Sequence, residues 1–298
     1  MRQKRGAIAL LITVMFVIVI TVAIGFGLKQ VNKASSLVAE ENFMYQSQII
    51  IEDVVKILQT SKDIQLVADA NTSDALFILI SQAGFIPFES NGLEIVLKIK
   101  SARGKFNPAQ LDTNRTTLLK QYMNNKRINS EYVDILLDNI GGIKEDNSYN
   151  SRIFDEKPYL FRDYIASSKH LKEINDFYTK EYSDNALADV DFNNLFYYSS
   201  DTNMSLDLNY VTTEVWEMIL TTSKERAELL SAGMGSYTTV EDLALNDDEL
   251  ENLSMYKYSF FEPILFVELE LTQNTKSSRV TFEYDIKEKK GSNFVYEI

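Results

Sequence analysis

The peptide bond between Gly6 and Ala7 is the first place where this chain invites chemistry. Arg2, Lys4 and Arg5 precede it and an uncharged run follows. A peptidase working beside a membrane must grip an extended backbone, and glycine removes the Cβ that would obstruct it. Carboxylates in loops come next. Asp138, Glu145, Asp146 and Asp155 follow one predicted helix, and Asp184, Asp189 and Asp191 form a second acidic loop. Such groups are hard oxygen ligands suited to calcium, the one metal the sequence offers, against the plainer reading of solvated loops. The run Asp184-Asn185-Ala186-Leu187 breaks a twelve-residue EF-hand pattern. His170, the only histidine, lies in a polar context beside Lys169 and Lys172 and reads as a surface helix residue. With one His and no Cys, a Cys–His nucleophile pair and a two-His metal helix are excluded. No Gly-x-Ser-x-Gly or phosphate-binding loop occurs, so no enzymatic activity is expected.

The element that must carry Gly6-Ala7 is long. Ala7 to Leu28 is 22 residues without a charge; as a helix it runs roughly 33 Å, enough to cross a bilayer core of about 30 Å. Cations before it and an acidic remainder after it place the N-terminus in the cytoplasm. A cleaved secretory signal ending near Thr21-Val22-Ala23 is a rival, but the apolar run continues past it. From Lys29 to Thr60 there is no Pro or Gly, and Val31, Ala34, Val38, Met44, Tyr45, Ile51, Val54, Val55 and Leu58 recur at helical spacing. One helix is expected, with an apolar first half and a striped second half that packs on a globular head.

Composition sets bounds. The 298 residues are 45% hydrophobic and 11% aromatic, enough for a substantial core. The absence of cysteine excludes disulfides and thiolate metal sites. Net charge is −13; without residues 1–6, 27 cations face 43 acids, or −16. So acidic a surface is a poor phosphate-backbone binder, so no nucleic acid partner is expected; it suits divalent cations or a basic partner.

After the helix, Asp63–Val67 reads as a weak strand, and Ala75–Ile80 as a strand or a buried helix turn. Leu93–Lys100 alternates apolar and charged residues, a half-buried strand. From Asn107 to about Leu253 the pattern is helical, with helix starts at Asp112-Thr113-Asn114, Ser130, Ser167-Ser168, Thr212-Thr213 and Thr238-Thr239 and a stop at Gly141-Gly142. Trp216 reads as core, and Gly233-Met234-Gly235 as a structural turn. Asn107 and Asn209, each followed by a capped helix, suggest a faint repeat of small helical units. Strands return at Pro263–Leu271, Arg279–Ile286 and Asn293–Ile298. Strands flanking a helical block predict an α+β fold: a long N-terminal helix on an antiparallel sheet, with a large all-helical insertion.

The start Gly6-Ala7-Ile8-Ala9-Leu10-Leu11, the long helix and the internal segments Gly104–Leu111, Val133–Ile140 and Leu206–Trp216 resemble the type IV pilin superfamily, and within it the K-type minor pseudopilins of type II secretion. Departures are Pro108 for an apolar residue, Asn139 for Trp and Asp207 for Asn. The resemblance implies a leader at 1–6, a transmembrane half-spine at 7–28, a pilin-like part at 29–105 closed by 255–298, and a helical insertion of the SAM or helix-hairpin-helix type at 106–254. It implies cleavage after Gly6 by prepilin peptidase, methylation of Ala7, and calcium of the kind that related tip subunits bind. Family members usually carry Glu at mature position five, to neutralise a neighbour's amine inside the apolar bundle. Here that position is Leu11, which implies a place at the fibre tip beside I- and J-type minor pseudopilins, above the major pseudopilin. The expected location is the bacterial inner membrane with a periplasmic head. An uncleaved, signal-anchored periplasmic binding or sensor domain, and a minor pilin of a type IV pilus, remain as alternatives.

Overall fold

The computed structural model describes residues 43–90, 92–273 and 276–297. Gly6, Ala7, Leu11 and the apolar run of 7–28 lie outside them. Among the described residues no helix is long and apolar enough to cross a membrane.

The described chain opens with helix α1, residues 43–60. Its buried stripe is Phe43, Ser47, Ile50, Ile51, Val54 and Leu58, at the expected three- and four-residue spacing. Met44 and Tyr45, assigned to that stripe from sequence, are exposed instead. The true stripe runs through Phe43 and Ser47, and the Ser47 hydroxyl is spent on the Phe43 carbonyl one turn back at 2.8 Å, so a polar residue is tolerated there.

Two short helices follow where strands were considered: α2 (Lys62–Ala70) and α3 (Ser73–Ala83). Ser61 caps α2 and Thr72 caps α3, each accepting a backbone N–H of the first turn. Asn71, left-handed at φ 52°, ends α2 between them. Ile64, Val67, Leu76 and Leu79 are their buried residues.

The sheet is antiparallel, in the order β1 (Phe85–Ser90), β2 (Leu93–Ser101), β5 (Ile264–Gln273), β6 (Lys276–Asp285), β7 (Lys290–Glu297). Strands β2 and β5 are neighbours although the whole helical block separates them in sequence. Alternate residues build one face: Leu93, Ile95, Leu97 and Ile99 on β2, Leu265, Val267, Leu269 and Leu271 on β5, Val280, Phe282 and Tyr284 on β6. These pack with α1, α2 and α3 in one hydrophobic cluster. Each such side chain contributes roughly 1.5–3 kcal/mol by leaving water. Pro87 sits in β1, an edge strand, where its missing N–H interrupts no inner ladder.

The block between β2 and β5 holds helices α4 (Thr113–Asn125), α5 (Glu131–Ile140), α6 (Ile153–Glu156), α7 (Ser168–Tyr182), α8 (Phe192–Leu195), α9 (Thr213–Leu220), α10 (Lys224–Ala232) and α11 (Asp247–Ser254), and a small parallel pair, β3 (Leu206–Asp207) with β4 (Tyr258–Ser259). It has its own core cluster, from Phe106 to Tyr256. Helix α9 lies at its centre, packed by α4, α8, α10 and α11, and Trp216 is fully buried there.

Candidate functional site

The residues that organise the molecule sit where the chain leaves and re-enters the sheet. After β2 the segment Ala102–Phe106 is stitched on every side: Ala102 N to the Ile264 carbonyl (2.9 Å), Asp207 N to the Arg103 carbonyl (2.8 Å), Thr212 N to the Gly104 carbonyl (3.0 Å), and Phe106 N to the Leu195 carbonyl (3.0 Å). Arg103 and Glu283 form a buried bidentate pair across it, at 3.3 Å from Nη1 to Oε1 and 2.9 Å from Nη2 to Oε2. The Tyr197 hydroxyl donates to the same Oε1. Burial pushes the Glu283 carboxyl up, but the hydrogen bonds and charge of Arg103 outweigh it and hold the carboxyl below its usual range. This pair joins the sheet to the helical block.

Asn107 and Asn209, the two ends of the faint repeat, do matching work. Asn107 Nδ2 donates to the Ser199 and Asp201 carbonyls while its Oδ1 accepts from Ala109 N. Asn209 Nδ2 donates to the Tyr237 and Phe260 carbonyls while its Oδ1 accepts from Tyr237 N. Each is buried, and each amide pins loops that have no ladder to satisfy them.

Asp207, fully buried in β3, accepts Asn209 N and Glu262 N. Burial pushes its carboxyl up to about 6 against the pull of those two donors. A carboxyl raised on folding makes the native state bind protons more tightly than the unfolded chain. Its contribution is therefore most favourable below about pH 4 and is lost as pH rises from 4 through 6. We expect the wild type minus Asp207→Asn difference in urea-unfolding free energy to fall by about 2 kcal/mol between pH 4 and 7. A flat difference would contradict the assignment.

The four carboxylates offered to calcium are not brought together. Asp138 is completely buried at the end of α5. Its Oδ1 accepts Asn150 N and Nδ2, its Oδ2 accepts Ser151 N and Oγ, and the Lys144 amine lies 4.0 Å away. Its lone pairs are spent on folding the loop back. Asp146 turns onto Ser148 N, and Glu145, Asp146 and Asp155 are all exposed. Among the described residues no three acidic or imidazole groups gather as metal ligands. In the second acidic loop Asp184 accepts the Tyr178 hydroxyl and Ala186 N, and Asp191 caps α8.

His170 is not a surface residue. It is buried on α7, its Nδ1 accepts Ala166 N at 3.2 Å, and its Nε2 lies 3.3 Å from Asn139 Oδ1. Burial pulls its pKa below the usual imidazole value. The turn at Gly233–Gly235 ends α10, and Gly235, at φ +82°, lies against the Phe77 ring of α3, where a Cβ would come within 2.6 Å. That turn is a second seam between the helical block and the sheet-side helices.

Among the described residues, exposed apolar side chains include Tyr45, Ile49 and Ile57 on α1, Phe85, Ile86 and Phe88 on the edge strand β1, and Phe294, Val295 and Tyr296 on the edge strand β7. These features suit packing against other chains.

No family model and no curated protein matches this chain. Among solved structures it is similar to a chain of the GspK-GspI-GspJ complex from the type 2 secretion system of enterotoxigenic Escherichia coli, with a TM-score of 0.56 and 10% identity over 87% of this chain and 97% of that one. At that identity the likeness is one of fold.

Proposed function

We propose that this chain is a minor pseudopilin of a type II secretion system, a non-enzymatic subunit that caps a pseudopilus and primes its assembly. The observation that carries the reading is α1 packed by one stripe on a five-stranded antiparallel sheet, with a helical block spliced between β2 and β5. The fold likeness to a chain of the GspK-GspI-GspJ complex supports it, and from the make-up of that complex we infer I- and J-type minor pseudopilins as partners. The uncovered apolar side chains of α1 and β1 are surfaces for them.

In this reading residues 1–6 are a leader removed by prepilin peptidase after Gly6, Ala7 becomes the methylated N-terminus, 7–28 anchors the chain in the inner membrane, and the head is periplasmic. Leu11 in place of an acid leaves the subunit unable to neutralise the amine of another subunit within the bundle, which suits the tip. The test is N-terminal sequencing of the chain purified from native membranes. The expected first residue is N-methylated Ala7; a start at Met1 or beyond Ala23 would sink the proposal and favour an anchored sensor or a cleaved secretory signal.

A further inference from the structure

The sheet face turned away from α1 carries charges at alternate positions: Lys98 and Lys100 on β2, Glu268 and Glu270 on β5, Arg279 on β6. Where the helical block leans on this face a cleft of about 380 Å³ opens, lined among others by Lys98, Lys100, Lys105, Asn193, Glu268 and Arg279. Cations gather there in a chain whose net charge is −13.

The ion pairs within it are lopsided. Glu268 accepts Lys98 Nζ at 3.0 Å and the Arg279 guanidinium, so its oxygens are committed. Lys98 also holds Glu270 at 2.7 Å. Asp191, whose field also reaches Lys105, is spent capping α8 through Asn193 N, Asn194 N and Asn194 Nδ2. Lys105 is half-buried with its amine 6.0 Å from the centre of the Phe266 ring, and among the described residues no carboxylate lies within ion-pair distance of it. Lys100 likewise has no acid partner among them. Burial and the charge of Lys100 both pull the Lys105 amine below its usual pKa. A half-desolvated cation next to a second cation is held at a cost, and an anion entering the cleft relieves it.

We propose that this cleft is a carboxylate-binding site, with Lys105 and Lys100 as its charged donors and the Asn193 amide and Ser101 hydroxyl beside them. Arg279, the guanidinium among the described lining residues, is tied to Glu268, so recognition falls to the point charges of Lys105 and Lys100, which an incoming carboxylate pairs. The carboxylate has two sources, an acidic side chain of a partner polypeptide or a free dicarboxylate.

The experiment uses the full chain in nonionic detergent, titrated calorimetrically at fixed ionic strength with succinate and, separately, with an acetylated and amidated tetraglutamate. Thermal melting is followed in parallel. Saturable binding of either ligand with a ligand-dependent rise in Tm is expected. Lys105→Met should weaken it by about tenfold or more, the worth of one charged hydrogen bond. The unliganded Lys105→Met protein should melt no lower than the parent, because it loses an unpaired cation and keeps the apolar stem. Lys56→Met, the same charge change on the helix of the opposite sheet face, should bind as the parent does. A response to tetraglutamate alone assigns a partner's side chain, and one to succinate alone a free ligand; both support the site. No saturable binding below about 10 mM, an equal response to chloride or phosphate, unaltered binding by Lys105→Met, or a marked fall in its melting temperature would each overturn it. The measurement is independent of how the N-terminus is processed, so its failure and that of the pseudopilin reading are separable.

Discussion

Arg103→Met is expected to destabilise the protein by about 3–5 kcal/mol, because it leaves the Glu283 carboxylate, only 6% exposed, without its cation. The pair is almost inaccessible on both sides, and the Tyr197 hydroxyl donates to the same carboxylate. Glu283→Leu alone should cost a similar amount, leaving the guanidinium with the Ala102 carbonyl at 3.5 Å and the Met204 sulfur at 4.0 Å. The double variant Arg103→Met/Glu283→Leu should recover most of the loss, since removing both ions also removes both desolvation penalties. The cycle has a signature in pH. In the parent Glu283 is held below its usual pKa, so its contribution is present at neutral pH and lost as pH falls through the folded value. In Arg103→Met burial outweighs the remaining Tyr197 hydrogen bond, the carboxyl rises, and stability should fall as pH increases. Urea unfolding of the four proteins at pH 3, pH 5 and pH 8 reads both effects. If the double variant were no better than the worse single one, the pair would not be the joint between sheet and helical block that we take it to be.

Much of this architecture is legible in the residues. Strands β2, β5 and β6 announce themselves because α1 covers one sheet face while charges such as Lys98, Glu268 and Arg279 occupy the other, which forces strict alternation. The caps at Asp112, Ser167 and Thr212 are legible for the same kind of reason: an orphan N–H needs a short polar side chain. The misreadings have equally physical causes. Asp63–Val67 and Ala75–Ile80 are short apolar runs, ambiguous by period; Ser61 and Thr72, three and four residues ahead of the first buried positions, are the local signal for helix. His170 sits among Lys169 and Lys172, but polarity next to it in sequence does not fix its face; residues three, four and seven along a helix do. Leu171, Ile174, Phe177 and Tyr178 share its buried face, and that spacing placed it inside. Strand β1 carries no alternation because both sides of an edge strand are partly wet. The acidic cluster near Asp138 failed as a group because closeness in sequence says nothing about which lone pairs the loop itself consumes. The pairing of Arg103 with Glu283, 180 residues apart, has no local trace at all.

Gly104 is where a weak motif acquires a mechanism, and Gly104→Ala should be the most disruptive single-methyl change in the described chain. A Cβ built there falls 2.1 Å from the Tyr210 carbonyl oxygen and 2.8 Å from its carbon, so backbone must move rather than a side-chain tip. The Gly104 carbonyl meanwhile accepts Thr212 N, the cap of α9, and the adjacent Arg103 carbonyl accepts Asp207 N. The two asparagine-bearing segments of the chain therefore touch backbone to backbone at this one residue. Parting them enough to seat a methyl loosens the cap of the central helix, the Asp207 turn and the approach of Arg103 to Glu283 together. Overpacking usually costs about 1–3 kcal/mol, and with rigid backbone on both sides about 3 kcal/mol or more is expected. Gly92, at φ +75° with open space around its Cβ, supplies the contrast: an Ala there meets no atom and should cost only about 1 kcal/mol of backbone strain. Hydrogen exchange should show the Gly104→Ala loss concentrated in 101–107 and 206–216, with β6 and β7 retaining their protection. Uniform loss across the sheet, or a Gly104→Ala protein as stable as Gly92→Ala, would mean that the close approach of Gly104 to Tyr210 is not what holds the helical block to the strands.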